Sequence, residues 1–149
     1  HEIHSHIYNK SLAYYFQKES KINPDKISKI MTKMINLGGQ ISTEQFDQAL
    51  KDQVRLAKKI NDLFKDYDIV ISHVTAESAP KRDSTEKDDC SLLWTLSMIP
   101  AVSAPLFKCP KNMPFNIHFL SNKWNDYNVI SFIEELIQKE IIDPKCQKF

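Results

Sequence analysis

The chain has 149 residues, enough for one ordinary domain, and its 42% hydrophobic and 26% charged residues exclude an intrinsically disordered segment. Its 20 basic and 19 acidic residues are spread along the chain and leave a formal charge of +1, so neither nucleic acid nor an anionic membrane is indicated as a partner. No apolar run approaches the roughly 18 residues of a spanning helix, and the two glycines, Gly38 and Gly39, exclude a Gly-rich phosphate loop.

Ile3, Ile7, Leu12 and Tyr15 recur at near-helical spacing and predict an amphipathic helix from Ile3 to about Phe16. Asn23-Pro24 reads as an N-cap and first-turn pair for a second helix, with Ile27, Ile30, Met31 and Met34 on one stripe and Gly38-Gly39 as its stop. Ser42 with Gln45 three residues on makes a capping box. The helix it opens is predicted to be the longest, with Phe46, Leu50, Val54, Ala57, Ile60 and Phe64 on a single buried face.

Ile69, Val70 and Ile71 form a β-branched run too short for a helix, and predict a strand buried on both faces. From Ser72 to Asp89 the chain is polar and contains Pro80, which predicts a long loop. A short helix follows near Asp89 to Leu96. Two extended runs, Ala101 to Pro105 and Phe115 to Leu120, flank a loop punctuated by Pro105, Pro110 and Pro114, and read as a β-hairpin or a neighbouring strand pair. Asn125 or Asp126 caps a final helix with Val129, Phe132, Ile133, Leu136 and Ile137 inward, stopped by Asp143-Pro144. The expected layout is a helical segment over 1–66 and a strand, loop and sheet-edge segment over 67–149. Three short strands are few for so much helix, which predicts an exposed apolar patch, an unpaired strand edge and self-association through it.

The stretch Trp94 to Leu120, WTLSMIPAVSAPLFKCPKNMPFNIHFL, resembles the C-terminal region of amidase signature hydrolases. That family reads there as a Thr-Leu, a Gly-aliphatic-Pro-Ala step, a strand ending in Pro, and a Leu-Pro-aliphatic-Gly-aliphatic-Gln strand. Leu37-Gly38, Ile41-Ser42-Thr43, the long helix, Asp68-Ile69-Val70-Ile71, Ala79-Pro80 and Asp83-Ser84-Thr85 follow the family's order as well, so the resemblance covers roughly Leu12 to Leu136. It implies an α/β fragment of the amidase signature fold, a few strands of a mixed sheet covered by helices. It implies a small-molecule amide as substrate and no cofactor, with hydrolysis through a Ser, cis-Ser, Lys triad and backbone N–H groups as oxyanion hole. In the family that machinery lies in a Gly- and Ser-rich region upstream, and the chain alone is expected to be inactive. Gly38-Gly39-Gln40-Ile41-Ser42 lacks the paired serines and reads as a helix stop and a cap. The resemblance further implies substrate contacts at Asp89, Trp94 and Thr95, where the family lines its acyl-side pocket.

Several positions depart from the family pattern. Met98 stands where the family has Gly before the aliphatic-Pro step, His73 where it has Pro, Asn116 where it has Gly and His118 where it has Gln. Asn112 and Asn116 are residues able to take the positive φ of a glycine, and Met98 is not. Either the pocket is reshaped in a divergent enzyme, or catalysis is lost and the fold serves as a noncatalytic interaction module.

His1, His4 and His6 lie close together, but no Cys or carboxylate completes a metal site with recognised spacing. His73 with Glu77, Asp83, Asp88 or Asp89 offers a base and an orienter without an activated nucleophile. Cys90, Cys109 and Cys146 are odd in number and lack CxxC spacing, which argues for reduced thiols. The chain begins at His1 without Met or a signal-like segment; a cytoplasmic setting is favoured, and the compartment stays open.

Overall fold

The computed structural model describes residues 1–82, 84, 90–109 and 113–143. Its elements are α1 (Glu2–Tyr15), α2 (Gln17–Ile22), α3 (Lys29–Gln40), α4 (Thr43–Leu63), β1 (Val70–His73), α5 (Ser91–Ser97), β2 (Ala101–Lys108), β3 (Pro114–Leu120) and α6 (Asp126–Gln138), with a 3-10 turn at Pro24–Lys26. Two compact units divide the chain, residues 1–56 and 57–149, and the boundary falls inside α4.

In the first unit α1 packs on α3, and Gly38 makes the approach possible. A Cβ there would lie 1.9 Å from the backbone oxygen of Asn9 and 2.9 Å from the Ala13 side chain. Gly38 and Gly39 were expected to stop the helix, yet α3 runs through both to Gln40, and neither has a positive φ. The glycine is therefore a contact residue and not a terminator. The start of this helix differs too. Pro24 opens only a single 3-10 turn, Ile27 is extended, and Ser28 caps α3 by accepting from the Met31 N–H at 3.2 Å.

The capping box at α4 forms as its spacing predicts: the Ser42 N–H donates to Gln45 Oε1 at 2.9 Å and the Gln45 N–H donates to Ser42 Oγ at 3.2 Å. Of the expected stripe, Phe46, Ala57, Ile60 and Phe64 are half-buried, while Leu50 and Val54 are exposed and Ala49 is buried beside them. Gly38→Ala is expected to destabilise the protein by about 3 kcal/mol through overpacking against backbone. Gly39→Ala, with nothing within 4 Å of the new Cβ, is expected to stabilise it by about 0.5–1 kcal/mol through helix propensity. Denaturant unfolding of both variants checks the contrast; equal effects would remove Gly38 from the helix contact.

In the second unit the sheet order is β1-β3-β2, with β3 antiparallel to both neighbours. The mixed character implied by the resemblance is thus not a property of these three strands. Five residues separate β2 from β3, too few for the crossover that a parallel pair requires. Partners directly across an antiparallel pair share a face, so Ile71, Phe119 and Val102 form one row, and Ser72, His118 and Ser103 form the next row on the opposite face. A register shift between Pro105 and Phe107 bulges β2 at Leu106.

α6 covers the face of Val102, Ala104, Ile117 and Phe119, where Ala104, Phe119, Val129 and Ile142 form a core joined by Phe132, Ile133, Leu136 and Ile137. Phe119 and Phe132 meet with ring centroids 5.8 Å apart. The expectation that β1 and the β2 strand are buried on both faces is corrected. Ile71 is 59% exposed, and Ala101 and Ser103 are exposed, because β1 and β2 are the outer strands and α6 covers only the middle of one face. α6 ends at Gln138, earlier than Asp143-Pro144 predicts. Glu140 takes a left-handed conformation, the Ile141 and Ile142 N–H groups both return to the Leu136 carbonyl, and Ile142 folds back into the core.

α5 ends at Met98, which adopts φ 55° and ψ 41° and donates its N–H to the Thr95 carbonyl at 3.1 Å. A methionine therefore holds the left-handed turn that glycine makes without strain. Asn116, by contrast, pairs with Pro105 beside the β2 bulge and is not among the positive-φ residues; Asn112 lies outside the described residues. Met98 is 49% exposed and loses little packing on truncation. Met98→Gly is expected to stabilise the protein by about 1 kcal/mol, seen as a higher denaturant midpoint at unchanged slope. A lower midpoint would mean that the methionine side chain contributes more than the turn costs.

Candidate functional site

The two faces of the sheet differ in chemistry because β3 alternates. Phe115, Ile117 and Phe119 go to the α6 side, and Asn116, His118 and Leu120 to the other. On that second face the row Val70, Leu120 and Ala101 is followed by the row Ser72, His118 and Ser103, and then by Asn116. In the apolar row Leu120 is fully buried and Val70 half-buried, while Ala101 at the outer strand is exposed. A face built only for packing would carry apolar side chains, since a buried polar group without a matched partner costs about 1–3 kcal/mol. Asn116 and His118 are both half-buried, and Asn116 Oδ1 is shielded from solvent with no hydrogen-bond donor among the described residues.

α5 reaches this face through Trp94, whose indole Nε1–H donates to Ser72 Oγ at 3.1 Å. Ser72 Oγ in turn donates to the His73 carbonyl at 3.2 Å. Ser91 Oγ donates to the Val74 carbonyl at 2.7 Å, so both ends of α5's first turn are tied to the strand β1 and its continuation. The Ser97 hydroxyl donates back to Leu93 O at 2.8 Å and is satisfied within the helix. Together these bonds fix an indole edge beside the Ser72, His118 and Ser103 row.

Of the residues that the resemblance singled out, Trp94 is half-buried at this row, and Thr95 is exposed one position further along α5. Asp89 lies outside the described residues. Ser72, Ser103, Asn116 and His118 were not anticipated as a group. The sequence places Ser72 at the start of the polar loop and marks Asn116 and His118 only as departures from the family pattern. The available signal was the alternation itself: Asn and His fall at every second position between Phe, Ile and Phe, as they do when a strand separates a core face from a working face. His73 faces the α6 side with its ring 5.8 Å from Phe115, away from the polar row.

Within the helical unit a cavity of about 520 Å³ is bordered by Glu2, His6, Glu44 and Asp52. Two of its acids, Glu44 and Asp52, have local partners. Hydrogen bonds from its own backbone N–H and from Ser42, with Lys10 nearby, hold the Glu44 carboxyl below the usual range, and Asp52 pairs with Arg55 and accepts from Gln48 at 3.0 Å. His4 stacks on Tyr8 at 5.2 Å, and burial lowers its pKa. Among the described residues no group of three or more His, Cys, Asp or Glu is placed to hold a metal ion.

No protein-family model matches the chain, and no curated protein does. Solved structures do. An amidase matches with a TM-score of 0.83 at 16% identity, over 93% of this chain and 35% of its own. A 6-aminohexanoate cyclic dimer hydrolase matches at 0.78 and 12%, over 94% and 34%. A bacterial aryl acylamidase of the amidase signature family matches at 0.69 and 16%, over 87% and 31%. The fold is that of part of an amidase signature enzyme. The chain spans about a third of the length of these structures. At such identities the shared property is the amidase signature fold.

The Trp94 to Ser72 bond is the joint between α5 and the sheet. A double-mutant cycle with Trp94→Phe and Ser72→Ala is expected to show a coupling of about 1 kcal/mol in denaturant unfolding. Strictly additive losses would mean that α5 is held by other contacts.

Proposed function

We propose that this chain is the C-terminal part of an amidase signature amidohydrolase, an enzyme that hydrolyses a carboxamide C–N bond. In this reading it supplies part of the substrate pocket, and the catalytic Ser and Lys come from residues that precede it. The observation that carries the reading is the fold match, 93% of this chain on about a third of an amidase at a TM-score of 0.83. A likeness that extends through helices and sheet in the same order is consistent with one segment of one architecture.

The substrate is proposed to be a small amide, contacted by Trp94 and Thr95 of α5 and by Asp89 before it. The hydroxyl, imidazole and carboxamide groups of Ser103, His118 and Asn116 beside Trp94 supply hydrogen-bonding partners suited to an amide, which presents one acceptor and up to two donors. Ser42, the serine nearest the chain's only glycines, accepts the Gln45 N–H and forms half of a capping box. That role opposes a nucleophilic one. The outer edges of β1 and β2 have no strand partner among the described residues, and are proposed to meet further strands of the amidase sheet or, in the isolated chain, a second copy.

The 149-residue chain alone is expected to show no turnover of aryl or aliphatic amides. Co-expression with the region encoded before it is expected to restore turnover and to remove concentration-dependent association in sedimentation. Turnover by the chain alone, lost on Ser42→Ala, or a complete protein inert toward every amide offered, would overturn the reading.

A further inference from the structure

α6 covers the sheet with one side, through Val129, Phe132, Ile133, Leu136 and Ile137, and its other side is not the uniformly polar surface of an outermost helix. Tyr127 is 83% exposed, and Ile130 is exposed one turn further on. Both share a stripe with Glu134, at spacings of three and four residues. Just before the helix stands Trp124, 86% exposed, with the Lys123 ammonium 5.1 Å from its ring centroid. Trp124 takes φ 67°, a left-handed conformation unfavourable to so large a side chain, in a turn closed by the Asn125 N–H on the Asn122 carbonyl at 2.9 Å. A strained tryptophan that contributes nothing to the core is held there for a contact the chain itself does not make.

We infer that this side of α6 docks a second copy of the chain, the two helices running antiparallel about a two-fold axis. Self-complementarity selects that occupant. With the axis level with the point midway between Asn128 and Val129, Tyr127 of each copy stands level with Ile130 of the other, Asp126 with Ser131, and Lys123 with Glu134. Ser131 and Glu134 are exposed, and Glu134 has no ion pair among the described residues. One register therefore joins the apolar groups, gives Asp126 a hydroxyl donor and forms two ion pairs, whereas a parallel pair sets Lys123 on Lys123 and Glu134 on Glu134. Trp124 and Tyr127 together offer about 350 Å², at about 200 Å² for a large aromatic. With Ile130 and the flanking polar groups the face approaches the roughly 800 Å² per copy of a stable interface. Strands added at the outer edges of β1 and β2 extend the sheet sideways and leave this side of α6 open, so the inference stands apart from the amidohydrolase reading.

The test is the oligomeric state of the complete protein, produced with the region encoded before this chain and followed by sedimentation on dilution. It is expected to be a closed dimer at micromolar concentration. Trp124→Gly keeps a residue suited to the left-handed turn and removes the indole, so it should leave the unfolding midpoint no lower and yield a monomer. Lys123→Glu and Glu134→Lys should each weaken the dimer about tenfold, by turning two attractive pairs into repulsive ones. Mixed in equal amounts, these two variants should form a heterodimer of about the original affinity, because each then meets its opposite charge at both sites; the double variant in one chain should recover as well. Association through the sheet edges is open-ended and indifferent to these charges, which separates it from the α6 contact. A complete protein that is monomeric because its preceding residues cover α6, a dimer that survives Trp124→Gly, or charge variants that do not recover on mixing overturns the inference.

Discussion

The second unit depends on one constraint: β3 is paired on both sides, and a paired strand must alternate its side chains. Because β1 and β2 both take their register from it, the alternation Phe115, Asn116, Ile117, His118, Phe119 is imposed across the sheet. The odd positions meet α6 and close a core around Phe119 and Val129. The even positions become a polar surface. A slip of one residue would bury His118 and Asn116 under α6 and expose two phenylalanines, so the hydrophobic term that holds the unit together also holds the polar face in place. Stability and site share a register.

α5 is the second determinant, because it decides what stands over that surface. It is a helix of 7 residues, too short to persist without tertiary support. The Trp94 and Ser91 hydrogen bonds to β1 and its continuation supply that support. Its left-handed stop at Met98 turns the chain through Ile99 and Pro100 into β2, while Ser121 at the end of β3 donates to the Pro100 carbonyl at 3.2 Å. The retention of this turn despite an unfavourable residue shows how strongly the surrounding packing specifies it. Of the two positions where glycine was missing, one keeps the glycine conformation under strain, and the other, Asn116, needs no such conformation.

The first unit shows the opposite use of glycine. Gly38 and Gly39 look like punctuation in the sequence, and only Ser28 and the capping box at Ser42 behave as punctuation in the structure. The difference arises because a terminator and a contact glycine have the same sequence appearance, and distinguishing them requires knowing that the Asn9 backbone passes within 1.9 Å of where a Cβ would be. For α4, periodicity identified the amphipathic helix and most of its inner stripe, and the burial of Ala49 with the exposure of Leu50 and Val54 is seen only in the folded unit.

What the amino-acid order determined by itself was local: the helices by their spacing and caps, the three extended runs by β-branched and aromatic content, and the amidase signature likeness by the motif order from Trp94 to Leu120. These follow from interactions within a few residues, where chemistry and spacing are enough. What only the tertiary structure decided was which strand is central, which faces are covered, and that Ser72, Ser103, Asn116 and His118 belong together. Those residues come from three strands separated by as many as 46 positions between Ser72 and His118. Their meeting is set by the non-local pairing of β3 with β1 and β2, and no sequence window contains it.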